Sequence, residues 1–210
     1  MENPDNNARE EFKKLTQATA DNTLEVVFQD EVHFQVQTSI SRTWAPIGSE
    51  PKVMSKPGKQ NVKYSGYLIP ETGELIVTKP TWFNYETVIQ SLRDFIKLAP
   101  LPDGKQYCMM LDNAPWHRKT IRLIWTEAQE EYRDIREAMT YISLAPYTSY
   151  LNPIEPVWRI TRRKVTHNRY FFSKAKLEAT LDDYYSKLRQ PNVKLKTLCS
   201  FKCFRAEQAS

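Results

Sequence analysis

Glycine is scarce in this chain, with five residues in 210. Phosphate-cradling loops need glycine, and neither G-x-x-x-x-G-K-[ST] nor G-x-G-x-x-G occurs, which excludes nucleotide-binding domains of those kinds. A G-x-S-x-G elbow is missing as well, against a serine hydrolase of that type. Cysteine is as sparse: Cys108, Cys199 and Cys203 form no C-x-x-C pair. They offer neither a disulfide scaffold nor a structural zinc site, and they fit a reducing, cytoplasmic setting. There is no H-E-x-x-H. No run of about 18 apolar residues exists, so no membrane-spanning helix is expected. The first residues are polar with no apolar stretch behind them, so no secretory leader is expected.

What is present is ordinary for a globular domain: 40% hydrophobic and 26% charged residues. A chain this long buries enough apolar surface to fold without staples. The charge, however, is uneven. Residues 1–155 hold 17 Lys/Arg against 21 Asp/Glu, whereas residues 156–205 hold 13 against 3. A basic C-terminal quarter reads either as a surface for a polyanion or as a solvated helix face.

The patterning divides the chain into a polar lead-in or linker (1–22, with a short helix at 8–15), one domain (23–190) and a C-terminal tail (191–210). Residues 24–34 (LEVVFQDEVHF) read as a strand, and 63–69 and 74–79 as a hairpin around Pro70-Glu71-Thr72-Gly73. Apolar residues at helical spacing predict a helix over 85–98, ended by Pro100. Residues 107–111 (YCMML) and 141–144 (YISL) read as short buried strands. Helices are predicted over 119–135, from 152–153 to about 165, and over 174–188. The order predicts an α/β fold with a mixed sheet flanked by helices, antiparallel strands first and parallel strands after.

Three carboxylates occupy informative places. Asp30 lies within the first apolar strand, where a charge is costly unless paired or metal-bound. Asp112 ends the strand YCMML, at the end of an α/β sheet where ligands gather. Glu155 stands at a helix start. If the central strands are neighbours, the three converge. Hard oxygen donors suit Mg²⁺ or Mn²⁺, and two such ions about 3.5–4 Å apart drive in-line phosphoryl displacement. Each residue also has a plainer reading. Asp30 pairs with a lysine, Asp112 makes an Asx turn, and Glu155 completes a capping box with Asn152 and Pro153. Glu31 points to the other sheet face and is not placed in the same site. His117, five residues beyond Asp112, either orients a phosphate or donates to a carboxylate; His33 and His167 look ordinary.

In order, the chain carries Phe28-Gln29-Asp30-Glu31, Arg42-Thr43-Trp44-Ala45-Pro46-Ile47-Gly48, Leu111-Asp112-Asn113-Ala114-Pro115-Trp116-His117 and Leu144-Ala145-Pro146-Tyr147 through Leu151-Asn152-Pro153-Ile154-Glu155-Pro156-Val157-Trp158. This series resembles the catalytic domain of DDE transposases, in the bacterial insertion-sequence branch of the mariner-like superfamily, over about residues 24–165. The resemblance implies an RNase H-like fold with a five-stranded mixed sheet. It assigns the catalytic, metal-binding triad to Asp30, Asp112 and Glu155, with two Mg²⁺ or Mn²⁺ ions. Asp112 and Glu155 lie 43 positions apart, longer than the family's commonest spacing, and the surplus falls around 129–137. The implied chemistry is hydrolysis at transposon ends, then attack of the freed 3′-hydroxyl on target DNA, typically at TA. Relatives carry an N-terminal helix-turn-helix region for which the first residues leave no room. A separate helix-turn-helix half is therefore an expected partner, along with double-stranded DNA and a second copy pairing two ends. No membrane partner is expected, and a nucleoid-associated, cytoplasmic location is.

Helical spacing from Glu155 puts Arg159, Arg162 and Arg163 along one face, as phosphate contacts or a solvated basic face. Asn113, His117 and Trp44 are candidates for supporting the triad or touching DNA. Trp44 either anchors its loop or stacks on DNA, and Trp158 reads as core. The leading function is a metal-dependent DNA endonuclease and strand transferase. The alternative is an inactive remnant that only binds DNA or a partner.

Overall fold

In the computed structural model the chain builds outward from β1 (Leu24–Gln35). The structure describes residues 23–144 and 152–199, together with 13, 17, 20 and 21. The expected helix at 8–15, apart from Lys13, lies outside the described residues, as do 145–151 of the fourth motif. Along β1, Val26, Phe28, Val32 and Phe34 join one core cluster and Val27 the other, as the two-residue period of a strand requires. β2 (Asn61–Ile69) and β3 (Glu74–Thr78) add antiparallel on one side; β4 (Gln106–Leu111) and β5 (Met139–Ser143) add parallel on the other. The order β3-β2-β1-β4-β5 is the mixed five-stranded, RNase H-like sheet that the resemblance implies.

Helices cover both faces. α1 (Tyr85–Leu98) starts in a capping box: the Asn84 side chain accepts from the Thr87 amide, and the Thr87 hydroxyl accepts from the Asn84 amide. Its Val88, Ile89, Leu92 and Phe95 pack on one face of the sheet. The other face is covered by α4 (Glu155–Thr161) through Val157 and Trp158, and by α5 (Lys174–Ser186) through Leu177, Leu181 and Tyr185.

The helix predicted over 119–135 is broken. α2 (Pro115–Ile121) runs into a π turn (Arg122–Thr126), the chain reverses at Ala128 with φ 49°, and α3 (Arg133–Ala138) follows a short 3₁₀ turn. The reversal delivers the chain directly into β5. Arg136 compensates for the break by donating to the Ile124 and Gln129 carbonyls at 3.1 and 2.7 Å. Residues 193–199 do not trail off as a tail. They form α6 (Val193–Cys199), whose Leu195 and Cys199 enter the core beside α4. Gly73, at φ 73°, makes the hairpin turn, and a Cβ there would lie 2.2 Å from the Asn192 carbonyl at the foot of α6. No helix among the described residues is long and apolar enough to cross a membrane.

Candidate catalytic site

Two carboxylates stand where the parallel pair β1 and β4 ends. The register pairs Val26 with Cys108 and Phe28 with Met110. Carried two residues further, it sets Asp30 beside Asp112, at the ligand-gathering end of the sheet. Glu155 comes to the same end because Asn152 ties the start of α4 to β1. Asn152 Nδ2 donates to the Gln29 carbonyl at 3.2 Å, and its Oδ1 accepts from the Ile154 amide at 3.2 Å. Glu155 is the first residue of α4 and is exposed, not the third residue that a capping box requires.

Asp30 is mostly buried. Burial pushes its carboxyl up to about 7, and the nearby Glu31 and Glu155 charges add to the rise. An indole bond opposes the rise: Trp158 Nε1 donates to Asp30 Oδ2 at 2.9 Å. Trp158 is therefore core, as its burial shows, and also holds the first carboxylate.

Asp112 is 45% exposed at its side chain. Its Oδ1 accepts from the Ala114 amide at 2.9 Å and from His117 Nδ1 at 2.6 Å. The Asx turn and the site role thus coexist, because the turn uses one oxygen only. Partial burial works against the charge, but the His117 and Ala114 bonds outweigh it and hold the carboxyl below the usual range. His117 is fully buried in α2, and its Nε2 meets Glu31 Oε1 at 2.9 Å. Burial opposes its charge, yet bonds to the two carboxylates lift it to about 10.

This bridge is what the sequence reading missed. Strand alternation does send Glu31 to the face opposite Asp30, but α2 folds over that face and His117 links it back to Asp112. The available signal was the five-residue offset from Asp112 to His117, one turn into the helix after β4. Asn113 is occupied internally: its Nδ2 donates to the Leu144 carbonyl and its Oδ1 accepts from Ser143 Oγ at 3.1 Å, tying β4 to β5.

The three triad carboxylates share one end of the sheet without enclosing a point. Among the described residues no three His, Cys, Asp or Glu side chains stand close enough to hold a metal alone. The donor chemistry nonetheless fits Mg²⁺ or Mn²⁺. These ions take hard oxygens and usually keep several waters, using one or two carboxylates and a substrate phosphate. A buried Asp30 flanked by two like charges is also stabilised in its ionised form by a cation.

Beyond Glu155 the basic residues diverge. Arg159 and Arg163 are exposed, with Lys164 and Arg169, and none of these four forms an ion pair among the described residues. Arg162 instead lies over the Phe34 ring at 5.6 Å, because α4 opens into a π turn (Arg162–Thr166) that shifts the helical register. The end of this basic turn is pinned to the chain leaving β1: Ser39 Oγ meets His167 Nδ1 at 2.8 Å, and Asn168 Oδ1 accepts from the Ser41 amide at 2.9 Å. Trp44, on the loop that continues from there, is 101% exposed and anchors nothing within the described residues.

A sequence profile described as "DDE superfamily endonuclease" matches residues 25–178. Among solved structures, the chain is similar to the Mos1 mariner paired end complex with Mn, with TM-score 0.61, 16% identity, 96% of this chain and 59% of that chain. It is also similar to the mariner Mos1 paired end complex with Mg (TM-score 0.57, 17% identity, 99% and 63%) and to the Mos1 Strand Transfer Complex (TM-score 0.55, 15% identity, 86% and 52%). At these identities the likeness is one of fold. The chain spans between half and two-thirds of the length of those chains. No curated protein matches it.

Proposed function

The chain belongs to the DDE superfamily endonucleases, and from that premise we propose that it is a divalent-metal-dependent DNA endonuclease and strand transferase of a transposable element. The observation that carries this reading is the placement of Asp30, Asp112 and Glu155 at one end of the sheet, with Asp30 lifted to about 7 beside two like charges. Asp30, Asp112 and Glu155 would hold two Mg²⁺ or Mn²⁺ ions. Bound there, such ions supply a more acidic attacking hydroxyl and neutralise charge on the leaving oxygen.

The chain's own residues do the rest. Trp158 fixes Asp30 from the core, and His117 with the Ala114 amide fixes Asp112, so two carboxylates are set before DNA arrives. Arg159, Arg163, Lys164 and Arg169, exposed along and beyond the helix that Glu155 begins, take the phosphate backbone. Trp44, projecting from the loop pinned to the end of the basic turn, offers a flat surface for DNA. In the first step water oxygen bonds to phosphorus as the P–O3′ bond breaks, freeing a 3′-hydroxyl. In the second, that hydroxyl attacks a target phosphate, at TA, and expels the target's own 3′ oxygen. The similar structures are paired end and strand transfer complexes, which supports a reading in which two DNA ends are held together; a second copy pairing those ends, and a separate helix-turn-helix half recognising them, complete the proposal.

Supercoiled plasmid incubated with the protein and Mn²⁺ tests the reading. The wild type should nick the plasmid and join labelled 3′ ends to it, and folded Asp112→Ala should do neither. Nicking that persists in Asp112→Ala contradicts the assignment. Mn²⁺-independent DNA binding without nicking by the wild type would instead leave a binding module.

A further inference from the structure

β1 presents two adjacent carboxylates to opposite faces of the sheet. Asp30 faces α4, whereas Glu31 faces α2, where its side chain is only 6% exposed. Glu31 accepts from three donors: His117 Nε2 at 2.9 Å, Gln29 Nε2 at 2.9 Å and Trp116 Nε1 at 3.3 Å. Burying a carboxylate and an imidazole is expensive, and an apolar pair of similar volume would fill the space at least as stably. What the polar pair adds is direction. Carboxylates only accept hydrogen bonds, so a ring lying between Glu31 and Asp112 donates from both nitrogens. It can neither flip nor rotate without leaving one carboxylate unbonded.

Asp112 feels the result. Its Oδ1 is fixed from two sides, by His117 at 2.6 Å and by the Ala114 amide at 2.9 Å, which leaves Oδ2 for a ligand. The half-exposed carboxylate would otherwise rotate freely at the strand tip. We propose that Glu31 is a positioning residue of the catalytic site: acting through His117, it sets the orientation of Asp112. This rests on the catalytic reading above, in which Asp112 is a metal ligand. It extends to one residue further out the principle that outer carboxylates orient the groups that meet a metal. The dipeptide Asp30-Glu31 then serves both sides of the site, Asp30 directly and Glu31 by way of α2.

The test uses the whole chain with labelled histidine rings and labelled aspartate carboxyls. In metal-free wild type, NMR should show His117 with protons on both ring nitrogens, the Nε2 proton far downfield. Glu31→Gln keeps the size and an acceptor oxygen but removes the charge. It should move the Nε2 proton upfield, shift the Asp112 carboxyl resonance and weaken Mn²⁺ binding about 10–100-fold by calorimetry. His117 and Asp112 resonances and Mn²⁺ affinity all at wild-type values would overturn the proposal. Should Glu31→Gln fail to fold, Trp116→Phe removes one donor from Glu31 and leaves its charge. Smaller shifts of the same sign are then expected, and unchanged resonances overturn the proposal. Failure of the underlying reading looks different: Asp112→Asn would bind Mn²⁺ as the wild type does, while the Asp112 carboxyl still responds to Glu31→Gln.

Discussion

The indole of Trp158 donates to Asp30 Oδ2 at 2.9 Å while its ring edge lies over Gly66 of β2 so closely that a Cβ there would come within 2.3 Å of it. One residue thus joins the core to the first carboxylate. Its place depends on a strand neighbour without a side chain, because Gly66 is the β2 partner of Asp30.

Trp158→Phe should therefore cost both stability and activity. Losing ring volume and the indole bond should destabilise the fold by about 1–3 kcal/mol and slow DNA nicking at least tenfold. Gly66→Ala should destabilise by about 1–3 kcal/mol through overpacking. The two changes should be less than additive, since phenylalanine removes the atoms that an alanine Cβ meets. Urea titrations of both single variants and the double variant measure the coupling, and strict additivity would contradict this packing.

The raised Asp30 predicts an unusual pH dependence for the metal-free protein. A carboxyl lifted from its ordinary value to about 7 contributes stability that is present below about 4 and lost as pH rises through 7. Asp30→Asn removes that loss. In EDTA the variant should match the wild type near pH 4 and exceed it by about 1–4 kcal/mol at pH 8, while nicking no DNA. Parallel stability curves from pH 4 to 8 would show that Asp30 is not strained.

Arg159 and Arg163 are exposed and without ion pairs among the described residues, so their replacement by alanine should leave thermal stability unchanged. DNA affinity should fall for any sequence. The slope of log K against log salt should shrink by about 0.9 for each phosphate that is no longer neutralised. Arg162→Ala should instead lower stability, because its guanidinium covers the Phe34 ring. An unchanged slope for Arg159→Ala and Arg163→Ala would place the DNA elsewhere.

Much of this was legible in sequence because local signals agreed with tertiary ones. Asp30 stands out as a charge in an apolar strand, and 85–98 as a helix with an apolar stripe ended by Pro100. The structure keeps both. Three features were hidden. The break at Ala128 carries neither glycine nor proline, and a guanidinium from α3 satisfies the carbonyls it frees. α6 is short and basic, and it is helical because Leu195 and Cys199 dock on the core. The role of Glu31 is the third, because strand alternation tells the face a side chain takes but not which helix reaches round the strand end to meet it.

The most direct measurement is calorimetric titration of Mn²⁺ into the wild type and into Asp30→Asn/Asp112→Asn. The wild type should bind Mn²⁺ and the double variant should not, with both proteins folded. Equal heats in the two proteins would contradict the assignment, because the carboxylates at the ends of β1 and β4 would then not be the ligands.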